Sequence, residues 1–354
     1  MTAKTPFRIC VLGAGGFIGS HLVPALLRET NADIEAVDID LHKLECHDLR
    51  LHKVKGTVRD LDLMGAVTDR CDLVISLTAL CNPSLYNTRP LDVIDASYTD
   101  LVPLCHRCCD RGRRLIHFST CEVYGRMAID SSGERTETMM EGQTSLMLGP
   151  MDRERWTYAC AKQLLERRIW ALGKHHGLQF TIIRPFNVIG PRMDFVSGVD
   201  GEGLPRVLAC FMGALMVGEP LRLVEGGSHR RTFVGIDDFI QAIVKVVKRP
   251  DACAQKILNI GNPENEVSIA ELAELISAAY VRQVTGATLA GTQEVTAAEF
   301  YGEGYDDSVA RIPDISRAME LLDWRPKTSL IDALPPIIDD YVSRYASVLA
   351  QSRR

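Results

Sequence analysis

The first apolar run, Phe7 to Leu12, gives way at once to Gly13-Ala14-Gly15-Gly16-Phe17-Ile18-Gly19 and then to a helical pattern through about Arg28. A short apolar run closed by a turn signal predicts a buried strand. A second run, Ile34 to Val37, ends at Asp38, and strand signals recur at Leu73–Leu77, Leu115–Phe118 and Phe180–Ile183, with helix-length segments between them. That alternation predicts an α/β fold with a doubly wound parallel sheet and helices on both faces. Asp152 is placed to cap a helix from Arg153 to Lys174, in which Leu164, Leu165, Ile169 and Leu172 recur at helical spacing. Cys105, Cys108 and Cys109 share that spacing on a segment from about Leu91 to Arg111. With His106 pointing off that face, the pattern reads as core packing and not as a metal site. Lys174-His175-His176 before Gly177 reads as a helix C-terminus, where positive charge suits the dipole. The pair Asp237-Asp238 is placed to cap the helix that follows.

Beyond Pro185 the texture changes. Glycine and proline cluster at Gly190-Pro191, Gly198 to Pro205 and Gly226-Gly227, a glycine-rich stretch spans Phe300 to Gly304, and an amphipathic helix near Leu330–Tyr345 closes the chain. The expectation is a first domain over residues 1–185, to which later segments return, and a smaller C-terminal α/β domain over 186–354.

Composition narrows the function. With 354 residues, 46% of them hydrophobic and 24% charged, the chain is an ordinary globular one. A net charge of −6 argues against nucleic acid as a partner. No apolar run approaches the ~20 residues that cross a bilayer, and the N-terminus carries no signal-peptide pattern. Eleven cysteines in a chain of this length read as reduced thiols, which predicts a cytoplasmic protein.

The spacing Gly13, Gly16, Gly19 between a strand and a helix predicts a Rossmann dinucleotide site. The first glycine permits the tight turn, the second lets backbone approach a pyrophosphate, and the third lets helix pack on strand. Phe17 and Ile18 open the helix, whose free N–H groups face the phosphates. Asp38, about 20 residues on, suits a ribose 2′-hydroxyl and repels a 2′-phosphate, so NAD is the expected cofactor. Ser119-Thr120 ends a later strand, and Tyr158 and Lys162 share one face of the next helix. A nearby ammonium is expected to lower the tyrosine's pKa, so that a phenolate takes the proton from a hydroxyl as hydride leaves the same carbon. Cys81 and Cys121 fall just past the ends of two strands expected to be neighbours, so they are expected to share a site.

The glycine fingerprint, the strand-end Thr120 and the Tyr158/Lys162 pair, in this order, resemble the extended short-chain dehydrogenase/reductases, over essentially the whole chain. Arg184-Pro185-Phe186-Asn187 and Arg231-Thr232-Phe233-Val234 with Asp237 look like that family's substrate-domain landmarks. The resemblance implies that Asn187 and Arg231 face a substrate's nucleotide diphosphate. It also implies a homodimer built on the Leu91–Arg111 and Arg153–Lys174 helices. The strings CNPSLYNTRPLD, RLIHFSTCEVYG, WTYACAKQLLE, RPFNVIGPRMDF, LPRVLACF and EFYGEGYDDSVARIPD are similar to a subgroup best known from plants. Its members convert UDP-glucuronic acid to UDP-apiose and UDP-xylose.

By that resemblance Thr120, Tyr158 and Lys162 serve oxidation at C4, Glu122 is the acid/base partner in decarboxylation, and Arg311 holds the substrate carboxylate. Cys81 and Cys121 serve the ring contraction, while Tyr86, Arg155, Tyr305 and Asp307 orient the substrate. A UDP-xylose synthase or a 4-keto-pentose-forming decarboxylase would use the same machinery without contraction. A non-catalytic NAD-sensing protein would have no use for the Tyr/Lys pair, and simple C4 epimerisation would leave Glu122 and Arg311 without work. The stretch between Gly125 and Arg155 is shorter than in the plant pattern, and Val188 replaces an aromatic residue there.

Overall fold

A computed structural model of the chain describes residues 7–126, 129, 132–134, 136, 138–201, 203–302 and 305–352. Residues 1–6, Glu202, Glu303 and Gly304, to which the N-terminal and two of the glycine-rich readings extend, lie outside the described residues, as do six positions between Gly125 and Arg155.

In chain order the first part runs β1 (Arg8–Leu12), α1 (Phe17–Glu29), β2 (Asp33–Asp38), β3 (Leu51–Lys55), α2 (Leu61–Arg70), β4 (Leu73–Ser76), α3 (Pro83–Thr88), α4 (Pro90–Ser97), α5 (Val102–Asp110), β5 (Arg114–Phe118), α6 (Thr157–His176) and β6 (Phe180–Pro185). The strands form one sheet in the order β3-β2-β1-β4-β5-β6, extended past β6 by Lys256–Ile260. All neighbouring pairs are parallel. The order reverses between β1 and β4, and the carboxyl ends there open a crevice where ligands of such sheets bind. Continuous apolar runs make the central strands because helices cover both faces: every residue of β4 is buried. β3, with the sequence Leu-His-Lys-Val-Lys, gives no such signal, because it is an exposed edge strand.

Three local readings are corrected. Asp152 does not cap a helix: a 3-10 turn, Glu154–Trp156, intervenes and α6 starts at Thr157, with no side-chain cap. The tight turn swings Arg155 inward, where it bonds Glu122. The Leu91–Arg111 segment is not one helix. It breaks at Tyr98, passes through a turn at Thr99–Leu101 and restarts as α5 with Pro103 in its first turn, as expected where proline removes an N–H and crowds the preceding turn. Leu164 lies outside the core, 47% exposed on α6. Cys105 and Cys108 do pack into the core, in one cluster with Cys10 and Cys71. Gly177 ends α6 in the left-handed conformation.

After β6 the chain adds α7 (Val207–Val217) and α8 (Ile236–Lys248). α8 packs against α1, so Phe239, Ile243 and Val246 share a core with Val11, Leu22 and Leu26 of the first half. A second core gathers α7 with residues 269–283 and the long helix Leu330–Ser352. Asp238 is turned away from its own helix end: its Oδ2 accepts the backbone N–H groups of Lys327 (2.8 Å) and Thr328 (2.7 Å), clamping the approach to that last helix. Asp238→Ala strands two donors on one carboxylate, so a loss of about 2–4 kcal/mol is expected in urea unfolding. A change below about 0.5 kcal/mol would show that the clamp contributes nothing.

Candidate active site

The crevice begins at the glycine turn. Gly13 has φ +83°, and a Cβ at Gly19 would stand 2.2 Å from the Gly13 carbonyl oxygen, so the fold itself requires both glycines. At Gly16 a Cβ would meet only that same oxygen, at 3.4 Å. Its smallness is therefore not needed for packing and suits close approach of a ligand. The first N–H groups of α1, at Phe17 and Ile18, lack intrahelical acceptors. Asp38 is fixed beside the turn, its Oδ2 accepting the Gly15 N–H at 2.8 Å and its Oδ1 that of Asp40 at 3.2 Å. Near the ends of β4 and β5, the Thr78 and Ser119 hydroxyl oxygens are buried with no hydrogen-bond partner. Orphaned hydroxyls beside a turn bare of side chains fit a dinucleotide laid across the crevice.

Tyr158 and Lys162 lie one turn apart on the buried face of α6. Lys162 is 1% exposed and donates to the Phe118 carbonyl at 2.9 Å, and burial brings its ammonium down to about 8. Tyr158 differs from the sequence expectation. Burial holds its phenol well above its usual range, reinforced by the Glu122 carboxylate and opposed by Arg155. Burial thus favours the neutral phenol in the resting site. Its ring stacks on Tyr86, centroids 5.1 Å apart and 10° from parallel. Thr120 lies at the head of a 3-10 turn, Cys121–Tyr124, where its Oγ1 accepts the Glu122 N–H at 3.2 Å.

Beside this pair sits a cluster of buried charges. Arg155 donates to both Glu122 oxygens (2.6 and 3.0 Å) and to Asp307 (3.4 Å), with its guanidinium 5.3 Å from the Tyr86 ring centre. Arg311 reaches Glu122 at 3.3 Å and also bonds Asp307. Arg231 donates to Asp307 at 2.9 Å, and the Tyr305 hydroxyl to the same oxygen at 3.3 Å. Burial alone would raise Glu122, but Arg155 and Arg311 overcome it and hold the carboxyl below its usual range. Asp307 is held lower still. Arg155 and Arg311 are raised, whereas Arg231 is lowered, by burial and by repulsion from Arg311 and Arg155. Three guanidiniums thus face two carboxylates, and Arg231 carries the least compensated charge.

β4 and β5, the strands that lead to Cys81 and Cys121, are indeed neighbours, and both thiols lie near Glu122 and Tyr158. Cys121 is 3% exposed. Cys81 is reached by solvent from inside the cavity, yet deep enough that desolvation dominates. Burial raises both thiols, so both keep their protons. A cavity of about 740 Å³ runs from Cys81 and Glu122 past Asn187, Arg231 and Arg311 to α7. Asn187, at φ 28°, donates its amide to the Thr232 carbonyl at 2.8 Å, and Val188 lines the same wall.

Sequence reading did not single out Arg206. It lines the cavity, pairs with Asp194 at 2.9 Å and stands 5.8 Å from the Phe17 ring centre, joining the glycine turn to the substrate side. Its place within LPRVLACF was the available signal. Tyr301, stacked on Tyr305 at 4.0 Å, was also passed over.

Residues 9–261 match the NAD dependent epimerase/dehydratase family. The chain belongs to that family. This epimerase/dehydratase-family enzyme is 44% identical to UDP-D-apiose/UDP-D-xylose synthase 1 of Arabidopsis thaliana, over 98% of this chain and 94% of that protein. It is 43% identical to the UDP-D-apiose/UDP-D-xylose synthase of Oryza sativa subsp. japonica, over 93% of this chain and 87% of that one. Among solved structures, PbgP3 from Burkholderia pseudomallei is similar with a TM-score of 0.80 and 30% identity, covering 99% of both chains. NAD is the cofactor of the family, and the turn, Asp38 and the orphaned hydroxyls accommodate it.

In this family member the buried Lys162 has a thermodynamic consequence. With a folded value of about 8 against an ordinary 10.5, the ammonium is less at home in the folded chain than in the unfolded one. Between those pH values the unfolded chain holds a proton that the folded chain has lost, so stability rises with pH through that window. Lys162→Met in the NAD-free protein is expected to raise stability at pH 7 by up to about 3 kcal/mol, a gain that shrinks between pH 8 and 10.5. Denaturant unfolding at both ends of the window measures it, and a pH-independent difference would refute the assignment.

Proposed function

We propose that this enzyme converts UDP-glucuronic acid, with NAD, into UDP-apiose and UDP-xylose. The observation that carries the reading is the charge cluster: a site with one guanidinium in excess, next to Tyr158 and two protonated thiols, suits a sugar that brings its own carboxylate. The 44% identity with a named UDP-D-apiose/UDP-D-xylose synthase supports the same substrate. NAD, when bound, would supply the hydride acceptor for C4 and the donor for the closing reduction.

Tyr158, beside Lys162 and Thr120, takes the C4 hydroxyl proton once substrate and cofactor have changed the field around it. The carboxylate then lies β to a ketone. Arg311 and Arg231 hold the anionic groups and stabilise negative charge as CO₂ leaves. Glu122, held ionised, is the proton acceptor of the site, and the Cys81 and Cys121 thiols are its donors. In the resulting 4-keto pentose the C2 hydroxyl is also β to the ketone. Its deprotonation cleaves C2–C3, and re-closure through C4 gives the branched skeleton, whose exposed aldehyde is reduced. Reduction without rearrangement gives UDP-xylose. Asn187 and Arg231 face the diphosphate, while Tyr86, Arg155, Tyr305 and Asp307 orient the sugar. Residues 1–185, with the returning segments, hold NAD, and residues 186–354 mainly hold the UDP-sugar.

Purified protein with UDP-glucuronic acid and catalytic NAD, followed by NMR, should yield UDP-apiose or its cyclic phosphate breakdown product beside UDP-xylose. UDP-xylose or the 4-keto sugar alone would remove the ring contraction, and no turnover would remove the substrate. Cys121→Ser should lower apiose formation about tenfold or more while CO₂ release stays within about threefold. Equal loss of both would argue against a role in rearrangement.

The homodimer is part of the same reading. α4, which exposes Leu91 (74%) and Ile94 (36%), packs against α6, which exposes Leu164 (47%), and these apolar residues suit a second copy. Sedimentation should give a dimer that Leu164→Arg converts to monomer, and a monomeric native protein at micromolar concentration would overturn it. No helix among the described residues is long and apolar enough to cross a membrane. All eleven cysteines are unpaired, which supports the reducing cytoplasm as its place.

A further inference from the structure

The short turn Cys121–Tyr124 carries two groups of the site, and they are held in different ways. Glu122 is pinned through its own carboxylate by Arg155 and Arg311. Cys121 instead packs among Val123, Tyr124, Met139 and Phe186, so its place follows from that packing and from the backbone of the turn. The head of the turn is held by the Thr120 hydroxyl. At its end, Gly125 has φ +82°, and a Cβ there would fall 1.7 Å from the Met147 carbonyl oxygen, so the turn has little freedom on that side.

Tyr124 is the anchor between these ends. It is fully buried, and its hydroxyl donates to Asn259 Oδ1 at 2.9 Å. Asn259 is itself fixed by donating to the Met139 carbonyl (2.9 Å) and the Asp314 carbonyl (3.1 Å). The Tyr124 ring lies 4.6 Å from the Arg184 guanidinium, which donates to Glu166 at 2.9 and 2.5 Å. Glu166 stands on α6, one turn past Lys162 and two past Tyr158. A second brace runs alongside, from Gln163 of α6 to the Val123 carbonyl at 3.3 Å. A continuous buried polar chain therefore joins the helix bearing the proposed base to the turn bearing the thiol. A buried Arg–Glu pair is often no more stabilising than apolar residues of the same volume, so its value here lies in fixing geometry.

We propose that Tyr124 is a positioning residue that sets the Cys121 thiol against Tyr158, and thereby governs the branch between the rearranged and unrearranged sugar. The proposal rests on the ring-contracting function argued above. Because Glu122 has its own arginine supports, loosening Tyr124 alters the rearrangement and leaves decarboxylation largely in place. A residue with a merely structural role would lower both together.

Tyr124→Phe is the test. It removes the hydroxyl's bonds to Asn259 and Arg184 but keeps the ring, its packing and its cation–π contact with Arg184, which stays paired with Glu166, so the fold is retained, and bound NAD reports that directly. With UDP-glucuronic acid, the ratio of UDP-apiose to UDP-xylose is expected to fall about three- to tenfold, while CO₂ release stays within about twofold of native. An unchanged ratio, or CO₂ and both products falling in proportion, overturns the proposal while the native enzyme's apiose leaves the function standing. A native enzyme that makes no apiose overturns both.

Discussion

Everything on the substrate side depends on burying five charges together. Arg231 and Arg311 are register partners on adjacent strands of a small sheet, so two guanidiniums lie side by side away from water. That arrangement is untenable without Asp307, which bonds both. At the effective dielectric of protein, a contact pair of unit charges interacts by about 4 kcal/mol, enough to decide where each side chain sits. Asp307 and Glu122 in turn need Arg155, delivered by the tight turn ahead of α6. The cluster draws on the β5 turn, the start of α6 and two late strands, and so ties the sheet to the later segments. Removing any one member strands charge on the rest. The excess of one guanidinium is the same fact seen by a ligand: an anionic group completes what the protein leaves unbalanced.

That constraint also explains the resting state of Tyr158. Burial is the main cause, the Glu122 carboxylate adds to it, and Lys162 is engaged with the Phe118 carbonyl. An enzyme whose base were a phenolate at rest would bury one more negative charge beside Glu122. Keeping the phenol neutral until the cofactor and the anionic sugar arrive avoids that cost and links proton removal to a filled site.

The sequence carried the parts of the fold and site that local chemistry dictates. Gly13 and Gly19 are required by backbone geometry, and the order of apolar runs gave β1, β2, β4, β5 and β6. The strands that lead to Cys81 and Cys121 could be placed side by side because sheet topology follows from βα alternation. What escaped were properties of three-dimensional neighbourhood. β3 is an edge strand whose polar residues hide it, and Lys256–Ile260 joins the sheet only after the chain has left it. The break at Tyr98 was readable in Pro103, but the helical spacing of the cysteines masked it. Asp152 looked like a cap because Arg155's reach toward Glu122, which shapes the turn, has no trace in local sequence. Arg206 stood in a noted string, LPRVLACF, but nothing local marked it out, since its contact with Phe17 spans most of the first half of the chain.

The proton inventory of the site follows from the same electrostatics and limits the chemistry it can host. The arginines keep Glu122 ionised, so it receives protons, and desolvation keeps both thiols protonated, so they give them. A plain epimerase needs one base at C4 and nothing more. Decarboxylation with rearrangement needs a donor to carbon after CO₂ departs, an acceptor from the C2 hydroxyl, and a donor to the oxygen formed on re-closure. Glu122 and the Cys81 thiol line one cavity, with the Cys121 thiol packed behind it, and under the proposed function they divide the accepting and donating tasks. The cysteines therefore add to the site what Glu122 lacks: protons at neutral pH in a place where arginines hold the nearby carboxylates ionised.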